Sequence, residues 1–120
     1  MAQHPLEDMY AAREALNRAG RSCASTDLAQ LDWPPFGAAL LGVLSSLHDL
    51  ANALSTKLDE VDRDALYREA LRDHPHEALD RAVRDLEGVS AVLGTAMGHA
   101  SEYWEEAQHI HEYTTSREQE

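Results

Sequence analysis

Apolar residues recur at helical spacing through nearly the whole chain. From Leu40 onward, Leu44, Leu47, Ala51, Leu54, Leu58 and Val61 follow in steps of 4, 3, 4, 3, 4 and 3. Such alternation averages 3.5 residues and keeps one line of side chains on one side of an α-helix, like the seam of a coiled coil. Leu41, Val43 and Leu50 flank the line and widen the apolar face to nearly half the circumference. A face this wide calls for more than one packing neighbour. The same spacing returns in Leu79, Val83, Leu86, Ser90, Leu93, Met97, Ala100, Trp104, Ala107 and His111. Ala82, Val89, Ala96, Tyr103 and Ile110 run alongside.

Breaks in the pattern set the boundaries. Leu6, Met9, Tyr10, Arg13 and Leu16 share one side of a first helix, and Gly20 is a plausible stop. Pro34 and Pro35 suit the opening of the second helix. Asp62 to Asp64 can cap a short third one, and His74-Pro75 interrupts it, because the residue before proline avoids the helical region. The reading is all-α: a helical bundle built on a long antiparallel hairpin, at about 36–61 and 76–113, with short helices at about 6–18 and 65–72. Residues 1–113 are read as a single domain and 114–120 as a frayed polar tail. A helix over 76–113 would be about 57 Å long, whereas a compact chain of this size has a radius of gyration of about 14 Å. Either that helix breaks at Gly88, Gly94 or Gly98, or the hairpin is elongated and completed by a partner. The second alternative is the expectation.

Charge narrows the classes of function. The 120 residues include 22 Asp and Glu against 10 Lys and Arg, a formal charge of −12. That balance speaks against direct binding to a nucleic-acid backbone, which needs a basic face. A single cysteine, Cys23, excludes a disulfide scaffold and a cysteine-based zinc module, and it fits a reducing compartment, so a cytoplasmic location is expected. The longest apolar run, Phe36 to Leu44, is far shorter than the roughly 20 residues that span a bilayer. The first ten residues lack the basic and apolar regions of a signal peptide. No membrane partner is therefore expected.

Candidate chemistry is sparse. Glu106 and His109 stand at the Glu-x-x-His spacing that puts two metal ligands on one helical side, and Glu102 is one turn away. A metal- or small-ligand-binding bundle is one alternative on this basis. Glu102, Glu105, Glu106, Glu112, Glu118 and Glu120 make the C-terminal stretch strongly acidic. A second alternative is thus an acidic inhibitor that imitates nucleic acid in a basic cleft. Small residues form two strips, Ala38, Gly42, Ser45, Asp49, Asn52 and Thr56 on one helix and Ala91, Gly94, Gly98 and Ser101 on the other. Their plain reading is close helix approach. No glycine-rich phosphate loop or nucleophile elbow is present, so neither an enzyme nor a cofactor is expected. The leading expectation is a non-catalytic interaction module that assembles as a homodimer or with another helical protein. The residues assigned to assembly are Leu40, Leu44, Leu47, Leu54, Leu58, Leu93, Met97 and Trp104.

Overall fold

The computed structural model describes residues 4–27, 33–62, 64 and 75–118, the side chains of 75 and 111–118 excepted. Among these residues the regular structure is helical throughout. Three long helices are formed, α1 (Pro5–Ser25), α2 (Trp33–Asp59) and α3 (Pro75–Glu118). The chain divides into two units, Met1–Trp33 and Pro34–Glu120.

In the first unit, α1 starts at an N-cap histidine followed by proline. The Leu6 N–H donates to His4 Nδ1 at 3.1 Å, which satisfies one of the amide donors that a helix start leaves free. Pro5 suits the first turn because its position needs no N–H donor, and Glu7 and Asp8 put negative charge at the positive end of the helix. Gly20 does not end α1, contrary to the sequence expectation. The helix runs on to Ser25, where the Thr26 hydroxyl donates to the Ser22 carbonyl at 2.7 Å and the Thr26 N–H to the Cys23 carbonyl at 3.4 Å. A glycine in a helix costs only about 1 kcal/mol, and Arg21, Ser22 and Cys23 carry the helix past it. No residue of α1 is buried.

The second unit is an antiparallel pair. Gly37 of α2 meets Trp104 of α3, and the Ser90 hydroxyl donates to Asn52 Oδ1 at 2.8 Å. Fifteen steps up α2 thus match fourteen steps back along α3. On α3 the seam falls where the sequence put it: Leu79, Val83, Leu86, Ser90, Leu93, Met97, Ala100, Trp104 and Ala107 are all buried or half-buried. His111, which would continue it, has a side chain outside the described set. The helix is continuous through Gly88, Gly94 and Gly98 and extends to Glu118, into the stretch read as a tail. The short helix expected at 65–72 lies outside the described residues. Its proposed cap is visible only at its start, where Asp62 Oδ1 accepts the Asp64 N–H at 3.0 Å.

On α2 the seam differs from the expected one. The buried and half-buried line is Pro34, Gly37, Leu41, Leu44, His48, Ala51, Ser55 and Leu58, again in steps of 3 and 4. Leu44, Ala51 and Leu58 belong to both versions. Leu40, Leu47, Leu54 and Val61 do not; three of them are exposed and Leu47 is half-buried. Steric fit explains the rotation. A methyl group on Gly37 would lie 2.6 Å from Trp104 Cα and nearer still to Trp104 Cβ. The α3 backbone approaches α2 at Gly37, and the line of Leu40, Leu47 and Leu54 stays to one side of that contact. A polar contact holds the same register: Asn52 accepts from Ser90 and its Nδ2 lies 3.4 Å from His48 Nδ1. The contact lies at the exposed margin of the seam, where Asn52 flanks the α2 line.

Glycine replacements separate contact from open space. Gly37→Ala should lower stability by about 1–2 kcal/mol, because overpacking against a backbone outweighs the gain in helix propensity. Gly94→Ala and Gly98→Ala, where an added Cβ meets nothing within 4 Å, should each raise it by about 0.5–1 kcal/mol. Thermal melts of the three variants check the opposite signs; a Gly37→Ala melt at or above that of the parent would contradict the close approach.

Candidate interaction surface

The seam repeats every seven residues, so each helix has flanking lines at fixed angles from it. The next line round α2 on one side is Leu40, Leu47, Leu54 and Val61. Because α3 runs the other way, its line on that same side is Ala82, Val89, Ala96, Tyr103 and Ile110. Phe36, Val43 and Leu50 lie further round α2, and Val92 further round α3. Together they form one apolar side of the hairpin. Phe36, Leu40, Leu54, Val89, Tyr103 and Ile110 are between 41% and 51% exposed, and Val92 is 69% exposed. An apolar patch of this extent exceeds the scattered hydrophobes of an ordinary surface.

The opposite side has different chemistry. It carries Ala38, Gly42, Ser45, Asp49, Asn52 and Thr56 of α2, with Ala91, Gly94, Gly98 and Ser101 of α3. These are the two small-residue strips of the sequence. Their glycines do not serve close helix approach: Gly42, Gly94 and Gly98 have nothing within 4 Å of an added Cβ, whereas Gly37, outside both strips, makes the tight contact.

The eight residues assigned to assembly therefore divide. Leu44, Leu58, Leu93, Met97 and Trp104 fill the seam within the chain, each half-buried. Leu40, Leu47 and Leu54 lie on the outer apolar side. Phe36, Val43, Leu50, Val89, Val92, Tyr103 and Ile110 join that side and were not among the eight. The signal for them was the flanking apolar residues that made each stripe wide.

The metal-binding candidates do not converge. Glu102, Glu106 and His109 are all exposed, and Glu102 and His109 are two turns apart on the rib of α3 facing away from the seam. Among the described residues no three His, Cys, Asp or Glu side chains are placed to hold a metal ion. Glu102 Oε2 lies 3.8 Å from His99 Nδ1, and Glu77 Oε2 lies 3.9 Å from Arg81. Both are exposed pairs one turn apart, of the kind that contributes under about 1 kcal/mol. Glu105 is exposed beside Glu102 and Glu106, so these acids fan round the outer surface of α3.

The composition of α2 has a second consequence. Its best 18-residue window has a mean hydropathy of 1.2, enough by length and composition alone for a membrane crossing, and only 11% of that window is buried. The two stripes together account for this apolarity: one meets α3, and the other faces outward. Comparison with protein-family models, curated proteins and solved structures gives no match to this chain.

The division between seam and outer side is open to measurement. Leu44→Ala should cost about 1–3 kcal/mol at any protein concentration, as expected for a partly buried leucine. Leu40→Ala, at a position that is 48% exposed, should cost the hairpin less than Leu44→Ala does. Urea unfolding at two protein concentrations separates the cases; a concentration-independent loss at Leu40 as large as that at Leu44 would show the seam to be wrongly placed.

Proposed function

We propose that this protein is a non-catalytic interaction module, and that it works by laying the apolar side of its α2–α3 hairpin against helices from another molecule. The observation that carries this reading is the second heptad line on α2. Phe36, Leu40, Val43, Leu47, Leu50 and Leu54 keep 4-3 spacing over more than four turns, on a side that α3 does not cover. Exposed solubilising positions do not need such spacing, whereas knobs-into-holes packing does. Burying a leucine that is left half in water stabilises an assembly by about 1 kcal/mol or more. A line of them would supply affinity without polar anchors, and the 4-3 spacing would supply alignment.

The reading is one of recognition by shape and apolar area. Its specificity would come from side-chain size along the line: Phe36 at one end, valine at 43, leucines between, and Tyr103 and Ile110 from α3. The acidic residues of α3 would surround this area and keep the free protein dispersed.

Site-specific photocrosslinking in the expressing cell tests it. A benzophenone amino acid in place of Leu54 or Tyr103 should give protein adducts, and one in place of Ala91, on the opposite side, should give few. Mass spectrometry of the adducts identifies the partner. Equal yields from both sides, or none from Leu54 and Tyr103, would overturn the reading.

A further inference from the structure

We infer that the occupant of the apolar side is the same side of a second copy of this chain, so that two hairpins form a four-helix bundle. The inference rests on the interaction-module reading and names its partner. Three observations select a second copy.

Area is the first. The line on α2 runs from Phe36 to Val61, about 38 Å at 1.5 Å per residue. With the parallel line on α3, the side is two helices wide, about 20 Å. Its footprint of about 750 Å² is close to the roughly 800 Å² per partner of a standard stable complex. One helix covers only half that width.

Charge is the second. The chain carries −12, yet from Trp33 to Thr56 the only charged residue of α2 is Asp49, which lies on the opposite side. Two copies of so acidic a protein repel unless their contact is neutral. The apolar side of α2 is neutral over that length, and Ala82, Val89, Ala96, Tyr103 and Ile110 continue it without charge on α3, where Asp85 and Glu106 stand only at its rim, on the line of Val92.

Self-complementarity is the third. An isologous contact sets the same patch against itself about a twofold axis. The heptad spacing of the α2 line and of the α3 line is shared, so knobs from one copy find holes of matching period on the other.

The test is sedimentation equilibrium on the full chain, with labelling as a second readout. The parent should weigh about twice 13.3 kDa at micromolar concentration. Leu40→Lys with Leu54→Lys should raise the dissociation constant roughly a hundredfold or more while the circular dichroism of a helical hairpin is kept. Ala91→Lys, on the opposite side, should leave the dimer intact. Maleimide labelling of a Leu54→Cys variant, in a Cys23→Ser background, should slow as the dimer forms. A parent monomer whose residue 54 labels rapidly would overturn the second copy and leave the side open to another protein. A monomer that labels slowly would show the side closed within the chain, and would overturn the interaction-module reading as well. A monomer that is shielded only on adding neutral phosphatidylcholine vesicles would assign the side to lipid and overturn both.

Discussion

The approach of α2 to α3 at Gly37 and Trp104 governs the arrangement of the second unit. A tryptophan on one helix lets its neighbour come close only where the facing side chain is absent, and Gly37 is that position. Once one rib of α2 is turned toward α3, the 100° rotation per residue leaves no freedom for the others. Leu44, Ala51 and Leu58 must face inward, Leu40, Leu47 and Leu54 must face sideways, and the small polar residues must take the remaining side. The contact between Ser90 and Asn52, fourteen residues back along α3, holds the same alignment by a hydrogen bond.

The interior selected in this way is thin. Among the described residues the buried hydrophobic ones are Ala51, Leu79, Ala100 and Ala107, three of them alanine. Alanine removes little apolar surface from water, whereas each fully buried leucine contributes about 1.5–3 kcal/mol. The larger side chains of the seam, among them Leu44, Leu58, Leu93, Met97 and Trp104, are half-buried, while Phe36, Leu40, Leu54 and Val89 of the outer side are exposed.

Much of this was legible in the residues. The heptad line from Leu79 to Ala107 placed the α3 seam correctly, because α3 has one dominant apolar stripe and charged residues elsewhere. The helical class and the hairpin followed from the same periodicity. On α2 the sequence showed an apolar face nearly half a circumference wide, and period alone does not say which half of such a face meets a single neighbour. The choice depended on a fit between Gly37 and Trp104, residues 67 positions apart, and it left Leu40, Leu47 and Leu54 beside the seam. The glycines misled in a related way. Gly94 and Gly98 suggested close packing by their spacing, but helical rotation puts them on the open side. The Glu106–His109 spacing was sound as local geometry and lacked the facing helix that would have supplied further ligands.

Gly88, Gly94 and Gly98 also bear on motion. All three fall within eleven residues at the centre of α3, and none is held by a neighbouring side chain. Each lowers local helix stability by about 1 kcal/mol relative to alanine. Helices ordinarily fray from their ends, but here the middle is also weakened, at the level of the Ser90–Asn52 contact. Amide protons between 88 and 98 would then exchange with solvent through local opening at rates nearer those of a terminus than of a helix centre. Such a segment can bend without unfolding the turns on either side, a compliance that a 44-residue helix of uniform stability would lack.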